Sequence, residues 1–226
     1  MYWFAISEYS LLNTIMQKYI SKFHYLTQDL PNRSHAEQTQ IACESGANWI
    51  QYHCLSKTDE EMIQEIHQVA AICDDWGATL ILTDHYHLLN KVDAQGVHLE
   101  DMNADFIAIR KIITDEKTLG ASANSFADIE RNFLTGVVDY AGCGPFALTQ
   151  TKPNDYALLG VEGYKQIIAE MAQKQIDLPL LAVGGIRLPD VEALMETGIH
   201  GIAVSAAINK AEDPAAAFLE MYNKIR

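Results

Sequence analysis

The chain has 226 residues, 49% of them hydrophobic, and this length fits one sizeable core in a single domain. It carries 16 Lys and Arg residues against 30 Asp and Glu residues, for a formal net charge of -14. A charge of this sign repels nucleic acid and anionic membranes, so we expect neither as a partner. Any phosphorylated small molecule must be held by local groups that act against this field.

The N-terminus and the cysteines indicate a cytoplasmic protein. The first residues lack a basic n-region and a cleavage site, so we expect no signal peptide or membrane span. Residues 9–22 are predicted to form an amphipathic helix, which makes 1–22 a helical extension. Buried thiols, rather than disulfides or a zinc site, are predicted for the four cysteines, which show no CxxC spacing: Cys43, Cys54, Cys73 and Cys143.

From residue 23 onward, short apolar runs alternate with longer runs of helical period. The predicted strands are 23–27, 49–52, 79–83, 96–99, 118–122, 138–142, 180–184 and 201–205. The predicted helices are 34–44, 59–75, 86–92, 104–113, 125–134, 161–173, 189–196 and 214–224. Eight strand-then-helix units predict an α/β fold, a (β/α)8 TIM barrel over 23–226, with an open eight-stranded sheet as the alternative.

Functional groups of such a barrel lie at the C-terminal ends of its strands. Gly184 and Gly185 end the seventh predicted strand, and the small-residue turn "VSAAI" ends the eighth. Bare backbone and free amides at neighbouring strand ends favour a phosphate site, although glycines also serve simple tight turns. The sequence therefore predicts a phosphate site at this edge.

Two carboxylates end the third and fourth predicted strands, at Asp84 and Asp101. Two close carboxylates repel each other unless a cation lies between them, and Mg²⁺ typically takes one or two carboxylates together with phosphate oxygens. We therefore expect a Mg²⁺ site here. The alternative is that each aspartate only caps a helix.

The second predicted strand runs into "QYHCLSK", where Gln51, His53, Leu55 and Lys57 share one face. This pattern fits either a polar site or a strand that ends in an ordinary polar loop. Further on, His85 and His87 in "DHYHLL" would point to different faces of a helix, so no transition-metal site is predicted there.

Several motifs together resemble one family. They are "HYLTQD", "GANWIQY", "GVHLED", "LGASANS", "YAGCGPFALTQTKP", "LLGVEGY", "LAVGGI" and "VSAAINKAEDP". Their order and spacing over residues 23–226 resemble thiamine-phosphate synthase (thiamine-phosphate pyrophosphorylase) and its relative, the thiazole tautomerase. The resemblance implies a (β/α)8 barrel, commonly a homo-oligomer, in the cytoplasmic thiamine pathway.

The implied reaction joins 4-amino-2-methyl-5-hydroxymethylpyrimidine diphosphate to a thiazole phosphate and releases pyrophosphate. It needs Mg²⁺ and cationic side chains to stabilise the leaving group, but no protein nucleophile. The resemblance makes Asp84 and Asp101 the Mg²⁺ ligands and Gln51 the pyrimidine contact. It assigns the diphosphate to Ser122 and Lys152, and the thiazole phosphate to Thr149, Thr151, Gly185, Ser205 and Ala206.

The sequence departs from the family pattern at several positions, and the "GQ" expected before the second acidic pair is missing, which leaves "LED". His53 and Leu55 stand where the synthase usually has Arg and Lys, and Thr83 stands where it has Asn. Two permanent cations that would face the diphosphate are therefore missing, whereas His53 is charged only part of the time near neutral pH. Lys57, on the same strand face, is a candidate replacement.

Three interpretations remain open at this stage. The first is a thiamine-phosphate synthase with an altered diphosphate grip, in which His53 and Thr83 join the substrate-binding residues. The second is a tautomerase-like isomerase that moves a proton on a thiazole phosphate carboxylate, but Asn124 replaces its expected histidine and leaves only His53 as a base. The third is a non-catalytic module that binds thiazole or thiamine phosphate, which would have little need of Asp84 and Asp101.

Overall fold

The computed structural model of the protein describes residues 18–148 and 156–225. Within them, eight parallel strands pair in chain order, and the last pairs with the first to close a barrel. The strands are β1 (Phe23–Leu26), β2 (Trp49–Tyr52), β3 (Thr79–Thr83), β4 (Gly96–Leu99), β5 (Thr118–Ala123), β6 (Tyr140–Cys143), β7 (Leu180–Val183) and β8 (Gly201–Val204). The (β/α)8 barrel is thus confirmed, and the open sheet is excluded.

Helices surround this barrel. The described α-helices are α1 (His35–Glu44), α2 (Asp59–Trp76), α3 (Phe106–Ile113), α4 (Phe126–Leu134), α5 (Gly160–Lys174), α6 (Val191–Met195), α7 (Ala206–Asn209) and α8 (Pro214–Asn223). Local sequence explains their ends. Ser34 and Thr58 open α1 and α2 with capping boxes, and Gly77 ends α2 in the left-handed conformation that glycine adopts without strain.

The barrel interior changes from apolar to polar along its strands. A cluster of Ile20, Trp49, Ile81, Tyr140 and Leu181 fills the interior near the N-terminal strand ends. Because side chains two apart share a face, the next inward positions on β2 and β3 are Gln51 and Thr83. Above this apolar cluster lies a layer of polar side chains, between the cluster and the C-terminal mouth of the barrel.

The clearest differences from the predicted elements follow β3 and β8. The predicted helix 86–92 is wrong, since only a 3-10 turn at Tyr86–Leu88 forms there. Asp84 has a left-handed backbone (φ 60°), and the amides of His85 and Tyr86 bond to carbonyls two residues back, so the chain turns too tightly for a helix. The short helix α7 after β8 was not predicted, because its four residues are too few to show a periodicity.

The N-terminal extension can be followed only in part. Residues 18–22 carry no helix and lead directly into β1, where the amide of Phe23 donates to Ser21 Oγ. The remainder of the helix predicted over 9–22 lies outside the described residues. All four cysteines are buried and free, as predicted. None of the described helices is both long enough and apolar enough to cross a membrane.

Candidate active site

A cavity of about 500 Å³ opens at the C-terminal mouth of the barrel. Its described lining brings together five of the residues predicted from the sequence to form the site: His53, Ser122, Gly185, Ser205 and Ala206. They come from the ends of β2, β5, β7 and β8, which are far apart in the chain. The closed barrel therefore gathers them at one opening, as expected for functional groups of this fold.

The ends of β7 and β8 form one wall with exposed backbone. Gly184 and Gly185 both have positive φ, at 86° and 73°. A Cβ at Gly185 would lie 2.6 Å from the carbonyl oxygen of Ala147, so only glycine fits at this position. Beside it, α7 begins at Ala206, and the first amides of a helix have no intrahelical acceptor. This wall has the shape and the donors for an anion.

Two cations line the cavity among its described residues, and the sequence analysis missed both. Arg187 follows the "GGI" turn, and its Nε lies 3.3 Å from Asp190 Oδ2 while the side chain remains 74% exposed. Lys210 follows α7 and is exposed. The sequence does contain a signal for them, since each follows directly after one of the two predicted phosphate turns. Both cations lie beyond the predicted strand ends, where functional groups were expected.

On the opposite wall, His53 lies next to a carboxylate. Its Nε2 is 3.5 Å from Glu100 Oε1, and both residues line the cavity. The backbone amide of His53 donates to Thr27 Oγ1, which holds this strand end in place. This part of the lining thus has an imidazole next to a carboxylate where the family pattern has an arginine.

Gln51 and Thr83 lie deeper than the cavity lining. Gln51 Nε2 donates to Thr83 Oγ1 at 2.9 Å, and both side chains are buried. Neither residue belongs to the described lining of the cavity. The structure therefore joins these two predicted site residues to each other, one layer below the mouth, where Thr83 orients the Gln51 amide.

Ser122 is connected to a buried histidine and tyrosine. His98 Nε2 lies 3.1 Å from Ser122 Oγ, and His98 Nδ1 lies 3.2 Å from the Tyr140 hydroxyl. Burial raises the pKa of Tyr140, so its phenol stays protonated. Gly142 leaves room for this packing, since a Cβ there would lie 3.2 Å from His98 Cε1. Neither His98 nor Tyr140 was given a role from the sequence, because both lie within predicted strands.

Asp84 and Asp101 lie at the same edge, where β3 and β4 end. Asp84 Oδ1 accepts the backbone N–H of Glu100 at 2.6 Å, so its carboxylate touches the residue next to Asp101. Asp101 Oδ1 accepts the N–H of Asn103 at 2.9 Å, and its side chain is exposed. The strained left-handed backbone of Asp84 is typical of a functional residue. Neither aspartate belongs to the described lining of the 500 Å³ cavity.

Lys57 does not reach the mouth of the barrel. Its Nζ lies 2.5 Å from Glu65 Oε2 on α2, and the same carboxylate accepts the Tyr52 hydroxyl at 2.8 Å. Burial by itself would raise the pKa of Glu65, but the hydrogen bonds from Lys57 and Tyr52 hold it below its usual value. Leu55 is 70% exposed. In the structure Lys57 is therefore paired with α2 rather than placed in the cavity lining.

Three predicted site residues, Thr149, Thr151 and Lys152, lie outside the described residues. The residues on either side of this stretch, Leu148 and Tyr156, both line the cavity.

Asn124, which stands where the tautomerase has its histidine, also lines the cavity, and its Nδ2 donates to the carbonyl of Gly144.

Comparisons with known proteins agree with this geometry. The model of the family described as "Thiamine monophosphate synthase" matches residues 25–208. A thiamine-phosphate synthase of Phocaeicola vulgatus is 38% identical over 195 residues, which cover 86% of this chain and 93% of that protein. One of Flavobacterium johnsoniae is 34% identical over 207 residues, covering 91% and 96%. The solved thiamine phosphate pyrophosphorylase of Pyrococcus furiosus matches with a TM-score of 0.78 and 25% identity, over 90% of this chain and 95% of that one.

Proposed function

Since this chain belongs to the thiamine monophosphate synthase family, we propose that it joins 4-amino-2-methyl-5-hydroxymethylpyrimidine diphosphate to the thiazole phosphate. In this reaction the bond between the pyrimidine methylene carbon and the diphosphate oxygen breaks, and pyrophosphate leaves with the electron pair. The thiazole nitrogen then bonds to the methylene carbon, which yields thiamine phosphate. The observation that supports this most is the single cavity that joins an anion-binding wall to His53, Glu100 and Ser122.

The anion-binding wall suits the thiazole phosphate. The amides of Gly185, Ser205 and Ala206 are the proposed donors, in agreement with the family resemblance. The Ser205 hydroxyl is already engaged, since it donates to Gln28 Oε1 at 3.2 Å and accepts from Asn209 Nδ2 at 3.1 Å. Backbone groups therefore do the binding, and the nearby Lys210 offsets the phosphate charge. Thr149 and Thr151 are the proposed remaining contacts.

The diphosphate is proposed to lie on the side of β3, β4 and β5. Asp84 and Asp101 fit a Mg²⁺ ion, because both offer hard oxygen ligands at one edge and Asp84 is held there by the amide of Glu100. The ion would neutralise charge on the departing pyrophosphate. Ser122 and Lys152 are the proposed direct contacts. With Tyr140 donating to His98 Nδ1, His98 donates from Nε2 to Ser122 and leaves the serine proton for a phosphate oxygen.

The pyrimidine ring is assigned to the side of β2. Gln51 is the proposed ring contact, and its hydrogen bond to Thr83 fixes the amide orientation before substrate arrives. His53 and Glu100 lie beside it at the cavity wall. Because a carboxylate partly cancels the charge of a protonated His53, this wall attracts the diphosphate less than two permanent cations would. We therefore propose a synthase that relies more on Mg²⁺ and less on side-chain cations than the family pattern implies.

A direct assay tests the main proposal. Purified protein is incubated with Mg²⁺, the pyrimidine diphosphate and the thiazole phosphate, and thiamine phosphate is measured. Product that requires all three components is expected. Absence of product together with tight thiazole phosphate binding would reject synthase activity. In that case, isomerisation of the thiazole phosphate carboxylate would indicate a tautomerase, and its absence would indicate a binding module.

Location and assembly are proposed on the family resemblance alone. We propose a cytoplasmic enzyme that forms a homo-oligomer. Light scattering coupled to size-exclusion chromatography measures the mass directly. A mass equal to the 25.2 kDa chain at assay concentrations would contradict the assembly.

A further inference from the structure

We propose that Asp59, His85 and His87 bind a divalent transition-metal ion such as Zn²⁺. One candidate ligand atom from each residue lies within 4.8 Å of the others. This group of three residues is called the His-Asp cluster below. It joins the turn after β3 to the first residue of α2, and it lies outside the residues that line the 500 Å³ cavity.

The turn after β3 is what brings the two histidines together. On a helix, residues two apart point to different faces. Here the left-handed backbone of Asp84 and the single 3-10 turn replace the predicted helix. The imidazole rings of His85 and His87 therefore lie 5.9 Å apart, centroid to centroid, at an interplanar angle of 74°.

The cluster is already partly assembled. His87 Nε2 lies 2.9 Å from Asp59 Oδ2, and the two side chains are 48% and 44% exposed. His85 Nε2 has a long contact of 3.4 Å to the carbonyl of Cys54, which costs little to break. With Zn–N and Zn–O distances of about 2.0–2.1 Å, the ligand atoms of a tetrahedral site lie about 3.3 Å apart. Small rotations of these side chains, of which His87 is exposed and Asp59 and His85 are half-buried, suffice to reach this spacing.

The donor set selects the kind of ion. Two imidazole nitrogens and one carboxylate suit Zn²⁺ and its neighbours, whereas Mg²⁺ requires oxygen ligands. Three protein ligands leave at least one position for water. The His-Asp cluster thus differs in chemistry from the proposed Mg²⁺ site at Asp84 and Asp101.

A second group of potential ligands, Asp29, His35 and Cys54, is a poorer candidate. His35 is buried, and both its ring nitrogens are engaged, with Thr27 Oγ1 at 2.7 Å and Asp29 Oδ1 at 3.0 Å. Asp29 Oδ2 also accepts the backbone N–H of Leu55. A metal there would have to displace these bonds at two buried residues, so the more accessible His-Asp cluster is preferred.

Calorimetric titration of Zn²⁺ tests the site. Untagged, chelator-treated protein is titrated in excess Mg²⁺, which occupies carboxylate sites on this acidic chain. One equivalent of Zn²⁺ is expected to bind and to raise the melting temperature. His85→Ala and His87→Ala should each weaken binding at least about tenfold, the low end of the loss seen even for outer-shell partners.

His67→Ala is the matched control, because His67 is exposed on the same helix as Asp59 but does not belong to the cluster. It should bind Zn²⁺ as the unaltered protein does. Asp59→Asn should weaken binding without loss of the helix cap, since Thr58 and Glu61 form the capping box. Absence of binding by the unaltered protein, or unchanged affinity in His87→Ala, would overturn the proposal. Tetrahedral Co²⁺ absorption bands that persist in the double variant His85→Ala/His87→Ala would overturn it as well.

Discussion

The imidazole of His53 and the carboxylate of Glu100 lie across from each other at the cavity wall, with His53 Nε2 3.5 Å from Glu100 Oε1. This part of the cavity lining thus has an imidazole next to a carboxylate where the family pattern has an arginine. This relationship defines how the protein departs from the family pattern, and it can be tested.

Replacement of His53 by Arg should strengthen binding of the pyrimidine diphosphate. A permanent guanidinium makes charge-assisted hydrogen bonds worth about 1.5–3 kcal/mol, which corresponds to a KM roughly tenfold or more lower. Steady-state kinetics at saturating thiazole phosphate measures this. His53→Gln is the control, because it offers hydrogen bonds without charge and should give no such gain. A KM that does not fall in His53→Arg would show that the diphosphate does not reach the His53 side of the cavity.

Gly185→Ala should abolish thiazole phosphate binding. Its Cβ would lie 2.6 Å from the carbonyl oxygen of Ala147 and push the anion-binding wall apart. Gly136→Ala is a matched control, because Gly136 also has a positive φ, of 68°, but no atom lies within 4 Å of the added Cβ. Both variants should lose about 1–2 kcal/mol of stability from the left-handed backbone, and Gly185→Ala should lose more because its Cβ also meets backbone. Only Gly185→Ala should raise the Kd for thiazole phosphate, measured by calorimetry.

Asp84→Asn should remove Mg²⁺-dependent activity. The amide oxygen of Asn can still accept the Glu100 N–H, and Asn tolerates the left-handed conformation, so the fold should persist. The lost charge should cost several kcal/mol of metal-assisted stabilisation, a fall in kcat/KM of about 100-fold or more. Asp74→Asn, an exposed change on α2, is the control. Full activity in Asp84→Asn would remove the metal assignment.

Tyr140→Phe should act through His98 on Ser122. Without the phenol, His98 Nδ1 loses its partner at 3.2 Å, and the proton on Nε2 that orients Ser122 is no longer specified. KM for the pyrimidine diphosphate should rise, and Ser122→Ala should raise it similarly. The effects of the two changes should be less than additive in the double variant, as for residues of one network. Additive effects would show that Tyr140 does not position Ser122.

Lys57→Ala should leave the KM for pyrimidine diphosphate unchanged but reduce stability. Lys57 pairs with Glu65, and loss of the partner leaves a buried carboxylate poorly satisfied, at a cost on the order of 1 kcal/mol. Denaturant unfolding measures this, with the exposed Lys91→Ala as control. A raised KM would instead place Lys57 at the diphosphate.

The same pair predicts a dependence of stability on pH. Because the folded-state pKa of Glu65 lies below its ordinary 4.5, ionised Glu65 stabilises the fold above that pH. The contribution is lost as pH falls through the lowered pKa. The difference in unfolding free energy between the unaltered protein and Glu65→Gln should therefore be present at pH 7 and shrink below about pH 4.5. An unchanged difference down to pH 3 would contradict this assignment.

Much of the fold could be read from the sequence because its signals are local. Apolar runs such as "TLILT" and "GVHL" end at turns and match β3 and β4 residue for residue. The pair Gly184 and Gly185 likewise marks a turn that only glycine can form, whatever lies around it. The helix prediction for 86–92 was wrong because the same spacing of buried residues also suits a compact turn over the core. These residues are Leu88, Leu89 and Val92.

The sequence by itself determined the eight strands, the turns that expose backbone amides and the residue types available at each strand end, because hydrophobic period and glycine geometry act within a few residues. Only the tertiary structure decided which of those residues meet. The pairing of strands into the barrel placed Glu100 beside His53 and Ser122 beside His98, and the tight turn after β3 brought His85 and His87 to Asp59. The tertiary structure likewise paired Lys57 with Glu65. Such contacts depend on how separate segments pack, so local spacing in the sequence does not reveal them.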